Sequence, residues 1–305
     1  MGRLAQTLGL TSSQHLTTTG SNSLINIGEL SKPATVLIEK VCNAVGVLYE
    51  PTRIRRQAHA EADATKINAL ARMELTNLEE RAFERLAHQE ARKQENIEQI
   101  TIEAASQVKT DAKPENMDPD WIAHFFKQCD TVSDKEMQSL WSKLLSGEAT
   151  KPGTFSKRTI NLIASLDKRD AALFTLLGQF IWMLGSPMAI IIDPNDPLLV
   201  AAGITFTDLK HLDSIGLINF EQITTFQVNG LPKFASASYC EKLVMLEFPN
   251  DTDNTVVLGN VLLTKTGQEL FPICGSVRNL HHFEAVVAKW KAVGIKVTVP
   301  DYIFR

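Results

Sequence analysis

The chain has 305 residues, 44% hydrophobic and 22% charged, with a formal charge of -4. That length allows two domains, or one domain with a long extension, around a sizeable core, and the net acidity excludes a globally basic polyanion binder while leaving room for a local patch. Cys42, Cys129, Cys240 and Cys274 form no CxxC and no secretory signal is evident, so reduced thiols in a cytoplasmic protein are expected.

Residues 1–23 read as a flexible leader, with Arg3 their only charged side chain and a polar ending, TTTGSNS. The next segment, 24–112, predicts an amphipathic helix followed by a long charged one. Over 30–49, Val36, Leu37, Val41, Val45 and Leu48 recur at helical spacing behind Ser31 and Pro33. That helix is expected to pack on the rest of the protein, since its polar face lacks the Lys/Arg content of a membrane-surface helix.

After Pro51 there is no proline until Pro114 and no glycine until Gly147, and the composition favours helix throughout. Nine Lys/Arg face ten Asp/Glu between Arg53 and Glu103. An apolar stripe runs through Ala71, Leu75, Leu78, Ala82 and Leu86, breaks at His88–Lys93, and reappears at Ile97 and Ile100. Leu75, Leu78, Ala82, Leu86, Ile97 and Ile100 are therefore the candidate assembly seam. Whether 52–110 forms one rod or a hairpin stays open. The one dense basic cluster, Arg53, Arg55 and Arg56, is a candidate contact for phosphate or anionic lipid, set against a plain solvated helix face.

From 113 to 192 a bundle of short helices is predicted. DPDW opens one at 118–121, SDKE at 133–136 reads as a capping box led by Ser133, and Ser156 and Asp167 begin two more. Ala171–Ile192 has no charge for 22 positions, long enough for a membrane span. The GSP at 185–187, Thr175 and Gln179 instead favour a buried helix leading into a core strand.

Residues 193–305 predict a winged-helix-like α/β module. FTDLKHLDSIGLINF reads as a helix with Leu209, Leu212 and Ile215 inward, stopped by Gly216 and followed by a strand. TTFQV, KLVMLEF and VVLGNVLLT have strand composition, Thr264 or Thr266 caps another helix, and FEAVVAKWKAVG precedes the strand-like IKVTV. The fold class expected overall is α+β, mainly α: a long N-terminal helix or hairpin, a central helical bundle and this C-terminal module.

Catalytic signatures are missing: no P-loop, GxGxxG, GxSxG or HExxH occurs. His281, His282 and Glu284 lack a second ligand cluster, and Asp196 with Asp208 and Lys210 has nuclease-like spacing on elements that suit turns and helix packing instead. No cofactor and no metal are expected. A recognition helix needs basic and amide side chains, yet Gly203–Gly275 holds four Lys, no Arg and eight Asp/Glu. Protein contact suits this module better than a DNA groove.

The runs LYEPTRIRRQAHAEADA, RKQENIEQI, DPDWIAHFFKQC, VSDKEMQSLWSKLLSGEATKPGTFSKRTINLIASLDKRDA, LKHLDSIGLINF and LLTKTGQEL resemble a bacterial family of uncharacterised proteins, over roughly residues 30–290. The LTxxG ending also resembles abortive-infection-type phage-defence proteins. These resemblances imply a bacterial cytosolic protein in a defence setting, and no reaction. The expected function is a non-enzymatic homo-oligomeric scaffold or sensor with a protein partner. The alternatives are a membrane-acting defence effector and a winged-helix nucleic-acid regulator.

Overall fold

The computed structural model describes residues 30–46 and 77–300. The fold is α+β, mainly α. The predicted leader, Leu75 and the Arg53, Arg55, Arg56 cluster lie outside the described residues.

Helix α1 (Lys32–Val45) starts at Ser31, whose side chain accepts from the Ala34 amide, and ends at Gly46 with φ 73°. Its buried face, Ala34, Leu37, Ile38 and Val41, docks on two later helices. Helix α2 (Asn77–Gln107) is continuous for 31 residues, so no hairpin interrupts this part of the predicted rod. Helices α3 (Pro119–Cys129), α4 (Lys135–Thr150), α5 (Lys157–Ser165) and α6 (Lys168–Leu177) complete the bundle. Trp121, Phe125 and Trp141 stack or meet edge-on at its centre. Asp118, Ser156 and Asp167 cap as the sequence predicts. The SDKE box does not. Asp134, one residue later, caps α4 by accepting from the Glu136 and Met137 amides, while Ser133 accepts from Asn96.

The uncharged stretch is the predicted buried helix leading into a core strand, with the helix ending earlier than the GSP at 185–187. Helix α6 closes at Leu177, a 3-10 turn covers Gly178–Phe180, and Ile181–Leu184 is a strand, β1, that turns at Gly185 into β2 (Ser186–Ala189). The GSP forms the tight turn of the β1–β2 hairpin. Among the described residues no helix is long and apolar enough to cross a membrane.

The rest alternates between two hydrophobic cores. Short helix α7 (Pro197–Ala201), α8 (Phe206–Ser214), β3 (Ile218–Phe220), β8 (Val261–Leu263) and α9 (Lys265–Leu270) pack against the helical bundle. Strands β4 (Phe226–Leu231), β5 (Phe234–Tyr239), β6 (Lys242–Glu247), β7 (Asn254–Gly259) and β9 (Lys296–Thr298), with α10 (Leu280–Ala292), build the second core. Its main sheet has the order β2-β1-β5-β6-β9, and Trp182 at its centre contacts Tyr239, Phe283 and Trp290. Trp182, Leu184 and Ile190 belong to the second core, while Leu209, Leu212 and Leu270 belong to the first, so the cores do not follow chain order.

The helix-to-strand joint predicted at 209–220 is present, and β8 returns antiparallel to β3 with Ile218 opposite Leu263. Between these strands the chain does not make a simple wing. Forty residues leave, form β4 to β7, and come back through Gly259, where φ is 103° and an added Cβ would lie 1.8 Å from the Ile191 carbonyl oxygen. Only a glycine permits that approach of two backbones.

Strand β5 was not anticipated from FASASY. Its link to β6 is the two-residue turn Cys240–Glu241, with Tyr239 opposite Lys242, and both turn residues have positive φ, 43° and 68°. Side chains in that conformation cost about 1 kcal/mol each, and Asn-Gly is the pair that suits it. Replacing Cys240→Asn together with Glu241→Gly should stabilise the protein by about 1 kcal/mol and raise Tm by about 2 °C in a thermal melt. A lower Tm would mean that packing of the thiol outweighs the backbone strain.

Candidate functional site

The feature that stands out is the first half of α2. Ala, Glu, Arg and Leu favour helix along it. Residues 77–92 are all exposed, a limb about 24 Å long at 1.5 Å per residue. Burial begins with Asn96. Its side-chain amide donates to the Asp130 carbonyl at 2.8 Å and to Ser133 Oγ at 3.3 Å, and its oxygen accepts from Gln138 Nε2 at 3.0 Å. Below it, Ser142 Oγ donates to the Ile100 carbonyl, binding α2 to α4.

This anchor divides the predicted seam. Leu78 is 69% exposed and Leu86 53%, and Ala82 between them is exposed too. Ile97 and Ile100 are instead buried in the chain's own core, so they cannot continue a seam with another molecule. The stripe's reappearance at Ile97 marks entry into the bundle. Phe83, 42% exposed, was missed because it falls outside strict three-four spacing; it widens the patch beside Ala82.

The exposed face of α8, where a recognition helix would read bases, has most of its polar groups tied to this chain. Asp208 and Thr205 form a capping box, and His211 Nε2 lies 2.6 Å from Asp170 Oδ1. Asp213 accepts from the Phe220 amide, and the Lys210 ammonium sits over the Phe220 ring at 5.2 Å. Burial raises the Asp170 carboxyl, but the His211 and Asp167 hydrogen bonds more than offset it and leave it below the usual range. These residues join α8 to α6.

The buried carboxylates do similar work. Glu148 accepts from the Gly153 and Phe155 amides, and Glu269 accepts from the Ser156 amide and Thr159 hydroxyl. Together they fasten the 151–156 loop between α4 and α5. Burial pushes the Glu148 carboxyl up, against the pull of those amides. Asp196 of the nuclease-like spacing accepts from Leu198 N to cap α7. Among the described residues no three His, Cys, Asp or Glu side chains are grouped to hold a metal ion.

The family model described as "Protein of unknown function (DUF2806)" matches residues 80–287. The chain belongs to the DUF2806 family. The match runs from the exposed limb through both cores to α10. No curated protein and no solved structure matches the chain.

One titratable group in this DUF2806 chain has a measurable consequence. His282 on α10 is buried, and its Nε2 accepts a 3.2 Å hydrogen bond from Trp182 Nε1, which requires the neutral ring. Burial pushes its pKa down to about 4, slightly countered by Asp196. In the unfolded chain a histidine protonates near pH 6.5. The unfolded state therefore binds the proton first as pH falls, and stability should drop by about 3 kcal/mol between pH 6.5 and pH 4. Glu148 acts in the opposite sense, so the comparison needed is with His282→Gln, which keeps an acceptor for Trp182. Urea titrations across that window should show a shallower loss for the variant; parallel curves would assign the pH dependence elsewhere.

Proposed function

We propose that this protein is a non-enzymatic oligomeric scaffold or sensor that assembles through the exposed limb of α2. The observation that carries this reading is the apolar patch of Leu78, Ala82, Phe83 and Leu86, exposed on a helix segment that no other described residue covers. A helix of this length gains little stability alone in water, and its apolar stripe gives a second helix something to bury. Glu79, Glu80, Glu84 and Glu90 are balanced by Arg81, Arg85, Arg92 and Lys93, so copies of the limb can pair without net repulsion. The winged-helix-like part supports protein contact over nucleic acid, because its region is acidic and its α8 side chains are largely engaged. A setting in bacterial antiviral defence rests on the resemblance of the LTxxG ending alone.

Light scattering coupled to size exclusion tests the assembly directly. The full chain should elute at a multiple of 33.8 kDa. A Leu78→Glu, Leu86→Glu variant should weaken association by at least about a hundredfold, from the lost burial of two leucines on each copy, with its circular dichroism unchanged. A wild-type chain that stays monomeric at every accessible concentration would dispose of the reading.

A further inference from the structure

A cleft of about 190 Å³ opens between α4, α6 and the 3-10 turn Phe271–Ile273 that follows α9. Met137 and Leu140 of α4, Phe174 of α6 and Ile273 form its apolar walls. Helix α4 meets α2 with Gln138 and Ser142, and turns Met137, Leu140 and Lys143 toward the cleft from its other side. The space is thus distinct from the seat of the limb.

Two lysines line the cleft, and their situations differ. Lys168 is paired with Glu136 at 2.8 Å. Lys143 is exposed and has no ion pair with any carboxylate among the described residues. The polar groups deeper in are occupied: Thr175 Oγ1 is hydrogen bonded to the Ala171 and Cys274 carbonyls, and burial holds the Cys274 thiol above its ordinary pKa, keeping it uncharged. The cleft therefore offers an apolar, neutral interior and one unneutralised positive charge.

We propose that this cleft binds a small monoanionic amphiphile, an aryl or short-chain acyl carboxylate, with Lys143 taking the carboxylate and the apolar walls taking the body. An apolar cavity of ~150 Å³ is enough for a benzene-sized ring, so this one accommodates a single ring or a short acyl chain. An ammonium and a carboxylate at the edge of such a site form a charge-assisted contact that a neutral analogue cannot make. The proposal goes beyond the assembly reading and does not depend on it, since binding is measured whatever the mass of the particle.

The test is titration calorimetry on the full chain with phenylacetate and octanoate, alongside benzyl alcohol and octylamine as neutral and cationic controls. At least one acid should bind with a dissociation constant on the order of 0.1 mM, as befits about ten non-hydrogen atoms. Lys143→Ala should weaken that acid at least about tenfold and leave the alcohol unchanged. Ala172→Trp, at an exposed position on the cleft wall, should abolish binding of the acid. Both positions are exposed, and circular dichroism checks that the variants fold. Absence of binding by both acids, equal binding of acid and alcohol, or indifference to either substitution would each overturn the assignment.

Discussion

The buried amide of Asn96 is the constraint around which the rest is arranged. Its oxygen and nitrogen are both satisfied, by Gln138 on one side and by the Asp130 carbonyl and Ser133 hydroxyl on the other. A buried amide left without such partners costs about 1–3 kcal/mol, so α2 cannot slide along the bundle to a neighbouring register. With Asn96 held, Ile97, Ile100 and Ala104 must face the core. The turns before it must leave the body, because the bundle offers them nothing to pack on. One helix therefore serves two purposes: its second half is a structural member, and its first half is an exposed surface.

The C-terminal half obeys a different constraint, the crossing of the chain between two cores. The uncharged segment after α6 delivers Trp182 to the sheet, the following residues return Leu199 and Leu209 to the bundle, and β4 to β7 go back to the sheet. The close approach at Gly259, with Ile191 and Leu258 hydrogen bonded beside it, holds one crossing in place. This path explains why a wing-like signature can be real at its ends and misleading in its middle. Strands β3 and β8 pair as a wing's base would, yet what hangs between them is part of a separate sheet.

Polar groups that could suggest chemistry are largely absorbed into architecture. Glu148 and Glu269 saturate a loop's amides, His211 and Asp170 couple two helices, and the His282 ring accepts from an indole. Among the described residues, what stands available for function is the opposite in kind: apolar side chains on the limb, and an apolar cleft edged by the unpaired Lys143 ammonium. Both are surfaces for recognition, which is why assembly and ligand binding are the readings advanced.

Local chemistry was legible where it acts over a few residues. Ser31, Asp118, Ser156, Asp167 and Thr264 begin helices because a short oxygen-bearing side chain reaches an amide two or three residues ahead. Where two neighbours could both cap, as at Ser133 and Asp134, a distant partner decided: Asn96 engages the serine. The Cys240–Glu241 turn has no sequence signal, since it contains neither Asn nor Gly and its conformation is imposed by the strands it joins. The stripe from Leu78 to Ile100 was readable as apolar spacing along a helix. Its division into an exposed patch and a core segment was not, since spacing records which face is apolar and not what covers it. The sequence by itself determined most of the helices, those caps that no distant side chain competes for, and the mainly helical α+β class, because these are set by contacts a few residues long. Only the tertiary structure decided which apolar face stays bare, because burial depends on partners far along the chain.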